Sequence, residues 1–261
     1  MNHSGPLDAF PLWLLFALTL AFVCLAVEAG YQLGRYRHLR SPEKEAAVGA
    51  MAAAMLGLLA FMLAFTFGLA ATRFDERRRT VLNEANAIGT AYLRADFLPS
   101  PHADIVKERL KAYVDTRIEA VQLGNIEAAI ERSIDLHGEL WEEATLAMNE
   151  DRHSIACGLF IESLNEVIDL HSTRVMVGAR SRIPITIWGA LYLVAALTMG
   201  TMGFHEGLSG TRRSIASLAL VIAFSTILFM VIDLDRPLEG LLRNSQQTML
   251  DLQQSLRAHT L

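Results

Sequence analysis

Apolar and polar positions along this chain fall into long blocks, not into a short alternation. Four blocks stay apolar for close to the ~20 residues that carry a helix across a hydrocarbon core: Phe10 to Leu33, Ala46 to Ala71, Ile185 to Phe204 and Ile215 to Ile232. They predict four transmembrane helices. Between the second and third lie residues 73–183, rich in helix formers and almost without strand pattern, which predict a helical polar domain. Its breaks are Pro99 and Pro101, Gly124-Asn125, and Asn149 to Asp151, giving a continuation of the second span and three further helices. Pro184 stands at the start of the third span, where its missing N–H costs little. In the tail, Leu238, Leu241, Leu242, Met249, Leu252 and Leu256 are spaced as on an amphipathic helix that packs on the polar domain. The expected division is 1–72 (spans about 10–33 and 46–71), 73–183, 184–232 (spans about 185–204 and 215–232) and 233–261.

Composition agrees with a membrane class: 52% of the 261 residues are hydrophobic, 20% are charged, and the mean hydropathy is +0.30. The first span lacks a positively charged leader and is too long for a signal-peptide core, so it is expected to stay in the chain. The net charge is −5 and no Lys/Arg block is long enough for a nucleic-acid arm, so nucleic acid is not an expected partner. Cys24 and Cys157 have no paired spacing of the kind that builds a disulfide framework or a zinc site.

Lys and Arg near the span ends set the expected orientation. Arg73, Arg77, Arg78, Arg79, Arg174, Arg180, Arg182, Arg236 and Arg243 lie on one side, against Arg35, Arg37, Arg40, Lys44, Arg212 and Arg213 on the other. This bias predicts that the helical domain and both termini are cytoplasmic, at the cell (inner) membrane.

Little in the polar domain points to catalysis. The phrase "IDLH" occurs at Ile134 to His137 and again at Ile168 to His171. Residues two apart on a helix face nearly opposite sides, so neither copy chelates a metal alone. The expected placement is Ile and Leu in the core, with the polar pair at helix edges. Glu28 near the end of the first span reads as an interfacial carboxylate. Glu84, Asp96, Glu162, Glu166 and Asp169, together with Arg94, Arg109, Arg117 and Arg174, read as salt-bridged surface. Gly207 and Gly210 read as a flexible turn between the last two spans. No nucleophile elbow, phosphate-cradling loop, HExxH or kinase set is present, so no enzyme, cofactor or metal is expected.

The second span carries the most specific pattern. Gly57, Phe61 and Phe65 recur every four residues and share one helix face. Ala60, Ala64 and Gly68 form a small-residue ridge beside them, which lets helices approach closely in a bilayer. Periodicity alone leaves two readings open: the rings face lipid or fill a helix core, or they line an axis in a symmetric ring of helices.

"FMLAFTFGLAATRFDE", Phe61 to Glu76, resembles the pore-helix segment of the bestrophin anion channels, where phenylalanines spaced by four precede a Thr-Arg-aromatic triplet. The whole chain resembles the bacterial bestrophin-like family through "RFDERRRTVLNEANAIGTAYLRAD" (Arg73 to Asp96), "NEVIDLHSTR" (Asn165 to Arg174) and "DLDRPLEGLLRNSQQTMLDLQ" (Asp233 to Gln253). The resemblance implies an all-α fold, four transmembrane helices with a helical cytoplasmic domain inserted between the second and third, and a homopentamer. It also implies that Gly57, Phe61 and Phe65 form the neck of a pore, with Thr72, Arg73 and Phe74 at its cytoplasmic end. The expected lining is Gly57, Phe61, Phe65, Gly68 and Thr72, with Arg73 and Arg77 at the mouth. Bestrophins bind calcium in an Asn-Pro-Phe-Gly context soon after the fourth span. Here that region reads "DLDRPLEG", with Asp233, Asp235 and Glu239 outside such a frame, so no calcium clasp is expected. The expected function is an oligomeric channel for small inorganic anions such as chloride, with the lipid bilayer and other copies of the chain as partners. The alternative is a non-conducting membrane scaffold or sensor whose helical domain binds another protein.

Overall fold

In the computed structural model, residues 10–40, 45–180, 182–210, 215–236 and 245–258 are described. They form eight α-helices and no strand: α1 (Leu12–Arg40), α2 (Glu45–Ala95), α3 (His102–Leu123), α4 (Ile126–Glu150), α5 (Ile155–Val175), α6 (Ile185–Leu208), α7 (Ile215–Asp235) and α8 (Gln247–Ala258). A single π-helical turn, Met176–Arg180, follows α5. Lys44, Arg212, Arg213, Leu238, Glu239, Leu241, Leu242 and Arg243, which entered the sequence reading, lie outside the described residues. The chain divides into two compact units, residues 1–73 with 182–242, and residues 74–181 with 243–261.

The first unit holds α1, the apolar half of α2, α6 and α7, and each of these helices is long and apolar enough to cross a membrane. Two ends differ from expectation. α1 continues beyond Leu33 to Arg40, with no proline in that stretch. α6 runs through Gly207 to Leu208, so only Gly210, at φ 63°, belongs to a turn. The reason is packing against α1. A Cβ on Gly30 would stand 1.9 Å from the Gly200 carbonyl oxygen, and one on Gly207 would stand 2.3 Å from that of Tyr31. Gly34 and Gly203 are as tightly placed, 2.2 Å and 2.1 Å from backbone oxygens of the facing helix. Lipid supplies no hydrophobic drive for helices to associate, so such close backbone approach is what holds α1 to α6. A hydrogen bond between Thr19 Oγ1 and the Tyr192 hydroxyl, 2.8 Å, ties the same pair of helices. Phe16 meets Phe229 of α7 edge to face, with centroids 5.4 Å apart.

At the other end of this unit, Asp235 closes α7 onto the start of α6. Its Oδ1 accepts the Ile183 N–H at 2.9 Å, and its carbonyl accepts from Arg182 Nη1 at 2.9 Å. Asp233 beside it is buried. The Asp235 carboxylate thus serves as a helix-start acceptor, and Pro184 follows at the N-cap of α6.

α2 is one helix of 51 residues, with no proline from Glu45 to Ala95. Its charged half belongs to the second unit with α3, α4, α5 and α8. There Ile88, Leu110, Tyr113, Leu136, Leu140, Phe160, Leu164, Val167 and Met249 form a fully buried core. The helix ends have local causes. Gly124 closes α3 at φ 71°, a conformation costly for residues with a Cβ. Ser154 caps α5 by accepting the Cys157 N–H at 3.2 Å. α8 buries Met249 and Leu256, and Gln253 Nε2 donates to Asp115 of α3 at 2.5 Å. Cys157 lies in this core, whereas Cys24 is exposed on α1.

Candidate functional site

α2 has two unlike faces within the first unit. Leu59, Leu63, Thr66 and Ala70 are buried, the first and last completely. On an ideal helix, positions 57, 61, 65, 68 and 72 fall within an arc of about 80° on the opposite side. Phe61 is 69% exposed and Phe65 is 68% exposed. Gly57 and Gly68 border open space, where an added Cβ would meet no atom within 4 Å. Thr72 is exposed, and its hydroxyl donates to the Gly68 carbonyl at 3.0 Å. The two rings therefore do not fill this chain's own helix core. They stand where lipid or another copy would meet them.

Arg73 and Arg77 are placed differently. Arg73 is half-buried, and its Nη1 is shielded from solvent without a hydrogen-bond acceptor. Arg77 is only 3% exposed. The exposed charges that follow Thr72 on α2 are Asp75, Glu76, Arg78 and Arg79.

A second polar constellation lies inside the helical unit, centred on Glu84 of α2. The Tyr113 hydroxyl donates to Glu84 Oε1 at 2.6 Å, Arg174 Nη1 donates to Oε2, and Arg117 Nε lies 3.3 Å from Oε1. Arg174 Nη2 also donates to Gln246 Oε1 at 3.0 Å. Because the Tyr113 proton goes to Glu84, the phenol oxygen is left to accept from His171 Nδ1, 3.1 Å away. His137 meets His171 edge to face, with ring centroids 4.9 Å apart. Burial holds both imidazoles down to about 4, and the nearby Arg117 charge pushes the same way. They are neutral at pH 7.

This cluster corrects the surface reading of Glu84, Arg117 and Arg174, all of which are buried. Arg94 and Glu162 do pair at the surface, 3.7 Å apart. The two "IDLH" phrases also resolve differently from expectation. Their histidines meet in the core, Asp135 and Asp169 are exposed, and Ile134 is 58% exposed. No group of three or more metal-ligating side chains occurs among the described residues. A signal for Glu84 was present in the sequence: it falls on the same stripe as Val81, Ile88 and Ala91, an acid at a core-facing position of α2.

Four helices long and apolar enough to cross a membrane in one unit, and a second helical unit built on an apolar core, define the class: an all-α, multi-pass membrane protein with four spanning helices. The family model described as "Bestrophin-like domain" matches residues 15–249, and the chain belongs to that family. Its fold is similar to that of a bacterial bestrophin homolog from Klebsiella pneumoniae, at 17% identity over 96% of this chain and 98% of that one, TM-score 0.67. A variant of the same Klebsiella protein aligns at 17% identity over 95% and 98%, TM-score 0.65. A crystal structure described only as a membrane protein variant aligns at 16% over 96% and 98%, TM-score 0.68. No curated protein matches the chain.

Proposed function

We propose that this protein is an oligomeric ion channel, a homopentamer conducting small anions such as chloride, in which α2 lines a phenylalanine-ringed neck. The observation that carries the reading is the outward exposure of Phe61 and Phe65 on a spanning helix whose opposite face is packed. Membership of the bestrophin-like family and the Thr72-Arg73-Phe74 triplet support it. Gly57, Phe61, Phe65, Gly68 and Thr72 are the proposed lining. Hydrophobic constrictions of this kind gate by dewetting, and ring edges carry partial positive charge on which a weakly hydrated anion rests. Arg73 is the proposed mouth cation. Arg77 acts only through the longer-range field, opposed by the exposed Asp75 and Glu76. The helical domain, residues 73–183, and both termini are proposed to be cytoplasmic at the inner membrane, with no catalytic role.

Chloride efflux from liposomes carrying the purified protein tests this. Phe61→Ala and Phe65→Ala are expected to raise flux by widening the neck, and Arg73→Ala to lower the preference for anions over cations. Absence of flux from the wild type under every applied pH and voltage would leave the scaffold or sensor reading in its place.

A further inference from the structure

His102 is the first residue of α3 and is 8% exposed, its ring set against α4. Nδ1 lies 2.8 Å from Glu143 Oε2, and Nε2 lies 3.2 Å from Glu150 Oε1. The two glutamates are seven residues apart on α4, hence two turns apart on one face. An ionised carboxylate only accepts hydrogen bonds, and a neutral imidazole has a single N–H. Two carboxylates on the two ring nitrogens can both be satisfied only by an additional proton. We propose that His102 is a proton-operated clamp: as the imidazolium it bridges Glu143 and Glu150 and fastens the start of α3 to the last turns of α4, and its deprotonation releases that contact.

The charges that face the ring come from α4, namely Glu143 and Glu150. On its own helix the first-turn acid is Asp104, and Asp96 at the end of α2 is taken by Lys107. The N-terminal end of the α3 dipole and desolvation work against the cation. The hydrogen bond to Glu143 is the largest influence and, with Glu150, it outweighs burial, so the imidazole titrates above its ordinary range. A raised value means that the clamp contributes its full stability below the ordinary histidine value and loses it as pH rises through the higher, folded one. The clamp is therefore closed in mild acid and opens with alkalinity. It does not depend on the channel reading.

Amide hydrogen exchange of the full-length protein in lipid nanodiscs, corrected for intrinsic rates, reads the clamp locally. Between about pH 6 and about pH 9, peptides covering 97–106 and 143–153 are expected to exchange about tenfold faster at the alkaline end, while Leu110 to Val114 stays protected. His102→Gln cannot carry the proton and should abolish the step. Glu150→Gln replaces one obligatory acceptor by an amide and should move the step to lower pH. Glu150 is half-exposed, which makes this variant the safer one to fold. A wild type with no local step, or a step that survives unchanged in whichever of the two variants folds, would overturn the clamp.

Discussion

Glu84 shows how one side chain can organise a domain. Its carboxylate is fully buried and is contacted by Tyr113, Arg117 and Arg174, from two other helices. Such a pair does not by itself argue for net stability, but removing one partner leaves uncompensated charge in the core. Glu84→Ala should therefore cost about 3–5 kcal/mol in the unfolding of the helical unit, and Tyr113→Phe only about 1–2 kcal/mol, since it removes hydrogen bonds and no charge. Thermal unfolding of the two variants in one detergent compares them; equal losses would mean that the Glu84 cluster is not charge-critical. Acid gives a second measure. Burial holds the His137 and His171 imidazoles down to about 4 in the fold, so the unfolded chain binds more protons as pH falls. Their contribution is complete above the ordinary histidine value near 6.5 and is lost between there and about 4. A urea titration series across that window should show falling stability, with a shallower fall in His137→Gln. His102 has the opposite sign, so the helical unit is squeezed from both directions around neutrality.

Among the elements, α1 and α6 are held by backbone contact, and α2 is held by only one of its faces within the membrane unit. Gly30 and Gly203 have no room for a side chain, whereas Gly68 has open space around it. Gly30→Val and Gly203→Val should abolish the yield of folded protein, because the added carbons would overlap backbone oxygen that cannot move aside. Gly68→Ala should leave the fold of a single chain intact. Size-exclusion profiles and circular dichroism of the three variants distinguish these outcomes, and normal folding of the two valine variants would show that the α1–α6 approach is not needed. The small ridge of Ala60, Ala64 and Gly68 thus differs from the glycines of α1 and α6: the latter are already occupied by a neighbouring helix.

For the whole molecule, the unpacked α2 face bears on assembly. A membrane protein that leaves Phe61, Phe65 and the Ala60 to Gly68 ridge uncovered has a surface suited to further copies of itself. Light scattering of the detergent-solubilised protein is expected to give a pentamer mass, and Gly68→Leu is expected to reduce it without unfolding the chain. A wild-type monomer would remove the basis for a pore along α2, since one helix cannot surround an axis.

How much of this was legible in the chain depends on the range of the interactions involved. The four spans, the helical insert and the breaks at Gly124 and after Asn149 follow from local rules. Apolar runs of bilayer length, helix formers without β-branched alternation, and breaking residues act within a few positions of themselves. The small and aromatic faces of α2 were legible for the same reason, because a helix converts spacing into a face. Pairings between distant positions were not. Glu84 and Arg174 are 90 residues apart, His102 and Glu150 are 48 apart, and nothing local says that these meet. Nor could periodicity say that Gly30 would face Gly200, or that Arg77 would be buried while Asp75 and Glu76 stayed exposed. By itself the sequence determined which segments are helical, which are apolar, and to which family the chain is similar. Only the tertiary structure decided which polar groups are desolvated, which glycines are in contact and which α2 face is left open, because burial depends on long-range packing that no local pattern contains.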